Sequence, residues 1–502
     1  MKKLSLSLIS ALTLVGATLT ACGPSNTDPD GKTLINFYGW GSTIETEIFR
    51  EMIGEFEKIY PEYKVHYESS SAENYIQTLA NKRNNPRNMP DVFYMPDLNF
   101  VQWINSRNNI MMDLTSYINK SEVFKLSNVW EEGINAYQFD SQTKKLGTGG
   151  IYALPKDLGP VALTYNKDIV KGKGVTIVSV PNGTVGYDAT TKTLNDQVPM
   201  TWAQFIKFCQ DVKTGEPGNE SSIVGVTHYP LEAAYASAGG RFLDSTNKIV
   251  NIANDTYAES LQFVADLSNE FGVMTTAEGQ ATQTGIQRFT SGLAATSFID
   301  AFQMPTLWKA SFDWDLLPTP VPNQSGDLNN LTDGFRDGCS SKSYLGSVGI
   351  AVYSKSKVPE AAYKLCEFLT VHPTAQRINY KLGQAVPNLI DMAEGEFLTE
   401  SLSDASGRNR PLNRKVYVDM MDTCERRPQS YTYNADWFDE MWESTNDETK
   451  LYRVWHPSTS MYGTHIDVWD WNTKSRINTS FLDNLQAACQ AELDDTAEDF
   501  SW

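Results

Sequence analysis

The segment that most restricts the fold is residues 34–96, where strand-like and helix-like patterns alternate. Leu34-Ile35-Asn36-Phe37-Tyr38 is a short β-prone run. Ile48, Phe49, Met52, Phe56, Ile59 and Tyr60 then recur at helical spacing until Pro61 stops the element. A strand is expected around Val65-His66-Tyr67 and a helix over 74–82, before the apolar run Val92-Phe93-Tyr94-Met95 ends at Pro96. This βαβαβ order argues for an α/β protein with doubly wound, largely parallel sheets. Beyond Ile151 a second unit is legible. Thr201-Trp202-Ala203-Gln204 fits a helix-capping box ahead of the stripe Phe205, Ile206, Cys209 and Val212. Helices are also expected over 257–270 and 360–369, the latter after a strand at 348–353, while 172–200 and 320–345 read as long loops. No internal repeat is evident. With 502 residues the chain exceeds a domain of ~150 residues about threefold, so two or three packed units are expected.

Charge narrows the partners. A net charge of −19 repels phosphate backbones and anionic lipid headgroups, which disfavours nucleic acid. The N-terminus points to export: Met1-Lys2-Lys3 is basic, and residues 4–21 are uncharged and rich in Leu and Ala. A membrane-spanning anchor is the alternative, but Ser, Thr and Gly dilute the stretch. Leu19-Thr20-Ala21-Cys22 resembles the lipobox of bacterial lipoproteins, in which the cysteine is acylated. Residues 1–22 therefore read as signal peptide and lipobox and 23–32 as a polar tether. The expected location is the cell surface, on the outer face of the bacterial cytoplasmic membrane, with the lipid at Cys22 as the only membrane attachment. The remaining cysteines are widely spaced with no Cys-x-x-Cys, so no zinc or redox motif is supported, and Cys209 and Cys366 read as buried small hydrophobes.

Catalytic signatures are missing. The sequence holds no Gly-x-Ser-x-Gly elbow, Walker-type loop, His-Glu-x-x-His or Gly-x-Gly-x-x-Gly, and its histidines are not spaced as a ligand pair. No cofactor or metal is expected. The informative residues follow candidate strands, because ligands of open α/β sheets bind outside the carboxyl ends of strands. Trp40 follows the first run in Gly39-Trp40-Gly41-Ser42, Asp97 follows Met95-Pro96, and Asp300 with Phe302 follows the run 294–299. An indole face stacks on sugar C–H groups while carboxylates accept hydrogen bonds from hydroxyls, so the combination suits a polyhydroxylated ligand. Taken singly, Trp40 also fits a packed aromatic and either aspartate a helix N-cap. Their coincidence points to a cleft.

The chain resembles the extracellular solute-binding lipoproteins of carbohydrate ABC importers, in the maltose-binding-like group. The resemblance rests on the lipobox, on Pro90-Asp91-Val92-Phe93 with Asp97, on residues 151–168 and on Thr201-Trp202-Ala203-Gln204-Phe205. It continues through residues 288–295, Trp314-Asp315-Leu316-Leu317-Pro318, residues 347–357 and Pro359-Glu360-Ala361-Ala362. It implies a two-lobed periplasmic-binding-protein-like fold, with sheets joined by crossing strands and a ligand cleft between the lobes. Lobe one is expected over 33–150 and 291–340, lobe two over 151–290 and 341–502. A crossover at 152–160 makes Asp157 and Tyr165 candidates, and Tyr229, Glu232 and Arg336 follow by the same mapping, a surface arginine being the plainer reading of Arg336. The implied function is capture of a sugar, expected to be an oligosaccharide, by lobe closure and delivery to the permease subunits, with the protein acting as a monomer and not as an enzyme. The alternatives are a secreted lipoprotein glycoside hydrolase and the same fold serving a non-sugar solute.

Residues 390–502 depart from the simpler members. Five of the 12 tryptophans, Trp437, Trp442, Trp455, Trp469 and Trp471, fall there within a short span. A satellite core is the plainer account of them. The sharper one brings Trp471 to the cleft rim, stacked on outer sugar units.

Overall fold

A computed structural model describes residues 26–106, 109–215, 219, 221–275, 283–383, 385–401, 411–442, 451, 454 and 466–495. The expected signal peptide, Cys22 and Trp455 lie outside the described residues. One sheet of nine strands organises the chain. Its strands are β1 (Thr33–Trp40), β2 (Tyr63–Ser70), β3 (Val92–Pro96), β4 (Ala153–Asn166), β5 (Val224–Val226), β6 (Ala294–Asp300), β7 (Trp314–Leu317), β8 (Tyr344–Val352) and β9 (Glu425–Arg426). The order is β5-β6-β4-β8-β3-β1-β2, with β7 paired to β4 and β9 to β8. The main helices are α1 (Thr43–Ile59), α2 (Ala72–Asn84), α3 (Asp97–Ile104), α4 (Trp202–Val212), α5 (Leu231–Ser237), α6 (Asp255–Asn269), α7 (Pro359–Val371), α8 (Pro373–Lys381), α9 (Lys415–Thr423) and α10 (Thr479–Asp494).

Local chemistry sets the first unit as the sequence suggests. Ser42 and Glu45 cap the start of α1 reciprocally, and Ile48, Phe49, Met52 and Phe56 form its buried stripe. Strands β1, β2 and β3 are parallel. The expectation of largely parallel sheets holds there and for the pairs β5–β6 and β8–β9. β8 runs antiparallel to β3, β4 antiparallel to β8, and β6 and β7 antiparallel to β4, so the whole sheet is mixed.

β4 runs through both lobes. Its first part, Ala153–Pro160, pairs with β8 of lobe one, and its second, Val161–Asn166, with β6 and β7 of lobe two. Within 291–340, which the expected division gave to lobe one, β6 sets Phe298 against Leu163 and Ile299 against Ala162 on the second part of β4, while Ile299, Met304, Leu307 and Leu316 join the core that holds β1 and β3. β8, by contrast, sets Ala351 between Ala153 and Phe93 in lobe one, and α7 and α8 pack on that side. Local apolar patterns reveal that a strand exists but not its neighbour, and that information is what the boundary needed.

One loop reading changes as well. The stretch 172–200 carries a small sheet of strands Thr176–Val178, Tyr187–Asp188 and Thr193–Asn195. Its hairpin belongs to a turn used three times with the pattern Asp-x-x-Thr-Lys, at 140–144, 188–192 and 470–474. In each, the aspartate accepts backbone N–H bonds from two and three residues on, and the lysine adopts a positive φ. The C-terminal region forms a satellite core in which Trp437, Phe438, Trp469, Phe481 and Leu485 pack on Leu231, Tyr257 and Leu261 of α5 and α6.

Candidate ligand cleft

Strand register brings two sets of carboxyl ends face to face. β3 ends at Pro96, opposite Val348 of β8, and Val348 lies opposite Asp157 of β4. β6 ends at Asp300, opposite Val161 of the same β4. The loops after β3 and β6 therefore flank one short stretch of β4, residues 157–161, from opposite lobes. Trp40, at the end of β1, lies on the β3 side, its half-buried ring against Tyr75 and Tyr94 at centroid distances of 4.5 and 5.0 Å.

Asp97 opens α3 and is buried. Its Oδ1 accepts from the Leu98 N–H at 2.9 Å, while Oδ2 has no hydrogen-bond partner among the described residues. Burial raises its pKa, against the pull of Arg426 and Arg427. Asp300 and Glu232 are likewise pushed up by burial, and both face the Arg427 guanidinium, which lies 3.8 Å from Asp300. Arg427 also sits 5.4 Å above the Tyr344 ring. Asp157 belongs to the same group, but its oxygens are engaged: Lys156 donates to Oδ2 at 2.5 Å and the Val348 N–H to Oδ1 at 3.2 Å. Burial alone would lower Lys156; Asp157 and Glu45 together hold it above the ordinary lysine value. Phe302 stands just past Asp300 and is 42% exposed.

The structure thus brings Asp97, Asp157, Glu232 and Asp300 together, with Trp40 and Phe302 at the flanks. Four other expected residues lie elsewhere. Tyr165 shares the inward face of β4 with Val161 and Leu163, and its hydroxyl donates to Asp196 in the lobe-two core. Tyr229 is enclosed by Phe205, Phe263 and Phe298, its hydroxyl donating to the Pro320 carbonyl. Arg336 forks onto Glu259 of α6 with two bonds of 2.6 Å. Trp471 lies in the seam between the lobe-two core and the satellite, with Nε1 donating to Asp266 at 2.8 Å.

Arg427 and Tyr344 were not expected. β9 takes the edge of β8 that β3 vacates, since Leu345 pairs with Arg426 where β3 has already ended at Val348. The residue after β9 therefore arrives beside Asp97. Its only sequence signal is the doublet Arg426-Arg427 before Pro428, in a strongly acidic chain.

The Trp471 contact carries a pH prediction. Burial lifts Asp266 to about 6, against the hydrogen bonds from Trp471 and Gln262. The folded state therefore holds this proton where the unfolded state has released it. The resulting stability is fully present below about pH 4 and is lost as the pH rises through about 6, at most ~3 kcal/mol. His228, lowered by burial to about 4, acts with the opposite sign, so global unfolding blurs both. Tryptophan emission of the protein minus that of Trp471→Phe should titrate with a midpoint near 6. A midpoint near 4 would show a solvated carboxylate.

Among the described residues no group of three His, Cys, Asp or Glu side chains is placed to hold a metal ion, and no helix is long and apolar enough to cross a membrane.

Carboxylates, an arginine and aromatic rings gathered at strand ends on both sides of β4 form a candidate ligand site of the kind two-lobed binding proteins use. Residues 40–376 match the family described as bacterial extracellular solute-binding proteins, and the chain belongs to that family. The arabinooligosaccharide-binding protein of Bacillus subtilis (strain 168) is 21% identical over 281 residues, covering 54% of this chain and 55% of that protein. The chain thus spans about half the length of that curated relative. An ABC substrate-binding protein of Listeria monocytogenes in complex with cycloalternan superposes with a TM-score of 0.65 at 18% identity, over 92% of this chain and 98% of the other. UgpB from Mycobacterium tuberculosis in complex with glycerophosphocholine superposes with a TM-score of 0.61 at 16% identity, over 92% and 99%. Those two structures share the fold while their ligands differ.

Proposed function

We propose that this protein captures a neutral sugar, an oligosaccharide, in the cleft and delivers it to the permease of an ABC importer. The observation that carries the reading is the buried Oδ2 of Asp97, an acceptor without a partner among the described residues, where both lobes present polar groups. A ligand hydroxyl would satisfy it, and Trp40 and Phe302 offer faces for the C–H side of a ring. Four carboxylates surround Arg427, which Asp300 already faces at 3.8 Å, and Lys156 is paired with Asp157, so among the described residues of the cleft no cation is left over for an anionic ligand such as a phosphodiester. Only the closed state makes contacts from both lobes at once, so ligand stabilises closure. No bond is made or broken. The B. subtilis relative, by its name a binder of arabino-oligosaccharides, supports the sugar class.

Thermal-shift screening tests the reading with neutral oligosaccharides of the arabino, malto, xylo, cello and manno series, each of two to five units. Bound ligand raises the apparent melting temperature by mass action. A glycoside hydrolase would instead convert a ligand during prolonged incubation, and products would sink the transport reading. The same reading places the protein, as a monomer, on the outer face of the membrane through acylated Cys22. Cys22→Ala should release it from the membrane fraction, because several acyl chains anchor firmly where none or one does not.

A further inference from the structure

Beside the cleft lies a separate cavity of about 190 Å³ between α5, the turn at 239–243 and the C-terminal segment around β9. It shares Glu232 and Tyr344 with the cleft, so the two spaces adjoin. Ala236, Gly239 and Gly240 leave the room, and the Arg241–Glu425 ion pair, 2.8 Å apart, stands at the edge. Two of its polar atoms lack hydrogen-bond partners among the described residues: Oγ of Ser343, a residue only 2% exposed, and Oδ1 of Asn247. Buried polar atoms left unpaired are costly and call for a partner.

The lining indicates what that partner is. Arg241 is paired with Glu425 and Arg426 with Glu132, which leaves Lys342 and Glu232, one charge of each sign. Such a lining favours neither an anion nor a cation. A serine hydroxyl and an amide oxygen complement hydroxyl groups, and the Tyr344 and Tyr431 rings border the same space. The volume is below the roughly 300–1,000 Å³ of sites enclosing drug-sized ligands, so it suits one ring. We propose that this cavity is a second subsite, which takes one neutral sugar unit of an oligosaccharide whose other units lie in the cleft. The proposal rests on the sugar-binding reading of the cleft.

Calorimetric titration of the full chain with the same oligosaccharide series separates the two. The native protein should show a step of about tenfold in affinity at one chain length, the length at which a unit reaches the cavity. Ala236→Phe fills the cavity and should abolish the step while leaving the affinity for shorter members unchanged. Asn247→Gly removes the unpaired oxygen yet accepts the positive φ of that position, and should reduce the step by severalfold without touching the core. A step that survives in both variants, or an equal loss at every length, overturns the subsite. If the native protein binds no member of any series, the cleft reading fails and the subsite with it.

Discussion

Asp97→Ala is expected to weaken sugar binding by about 2–3 kcal/mol, the scale of a hydrogen bond between a ligand hydroxyl and a desolvated carboxylate. The apoprotein should lose no stability. Burial already raises this carboxyl's pKa, so the charged group is held at a cost that alanine removes. Trp40→Ala and Asp300→Ala should weaken binding by roughly 1–3 kcal/mol each, the one through a lost ring face and the other through a lost charged acceptor. Calorimetry with the tightest sugar from the screen, alongside melting curves of the free proteins, provides the check. Unchanged affinity in Asp97→Ala and Trp40→Ala together would show that the cleft lies elsewhere.

Trp437→Ala should produce the largest loss of stability, about 3–5 kcal/mol, by opening a cavity in the satellite. The ring is fully buried, meets Phe438 edge-on at 5.5 Å, and donates from Nε1 to the Thr432 hydroxyl at 3.0 Å. Amide exchange in α10 should accelerate, because that helix packs on the same core. Affinity for the shortest sugar ligand should not change. Native-like exchange in α10 would mean that the satellite does not depend on this ring.

Local signals proved reliable where a residue's own neighbours along the chain decide its state. The capping box at Thr201, the stripe of α1, and the strand ends at Trp40, Asp97 and Asp300 are of this kind, and register then brought those ends together. Tyr165 and Tyr229 misled because a tyrosine beside a cleft strand and one inside a core follow the same local pattern. What separates them is which face of the strand is buried, as with Tyr165 on the side of Val161 and Leu163. Arg427 was illegible for another reason. It reaches Asp97 through β9, a two-residue pairing about 330 positions further along the chain, which no periodicity announces. The thrice-used Asp-x-x-Thr-Lys turn was visible in principle but is too short to register as a repeat.

The C-terminal segment also bears on how the lobes move. From β9 onward it touches both: Glu425 reaches Arg241 on the lobe-two side, whereas Arg426 and Tyr431 reach Glu132, and the Tyr433 hydroxyl reaches the Lys144 carbonyl, on the lobe-one side. Of the paired strands only β4 runs through both lobes, with β8 along its first half, and so thin a connection both bends and twists. A further segment that touches both lobes widens the connection and stiffens it against torsion, so bending across its width is left as the soft direction. Closure of the kind proposed would then bring the lobes together along the same line each time, like a door on a broad strap hinge, and the sugar need not hold them in alignment.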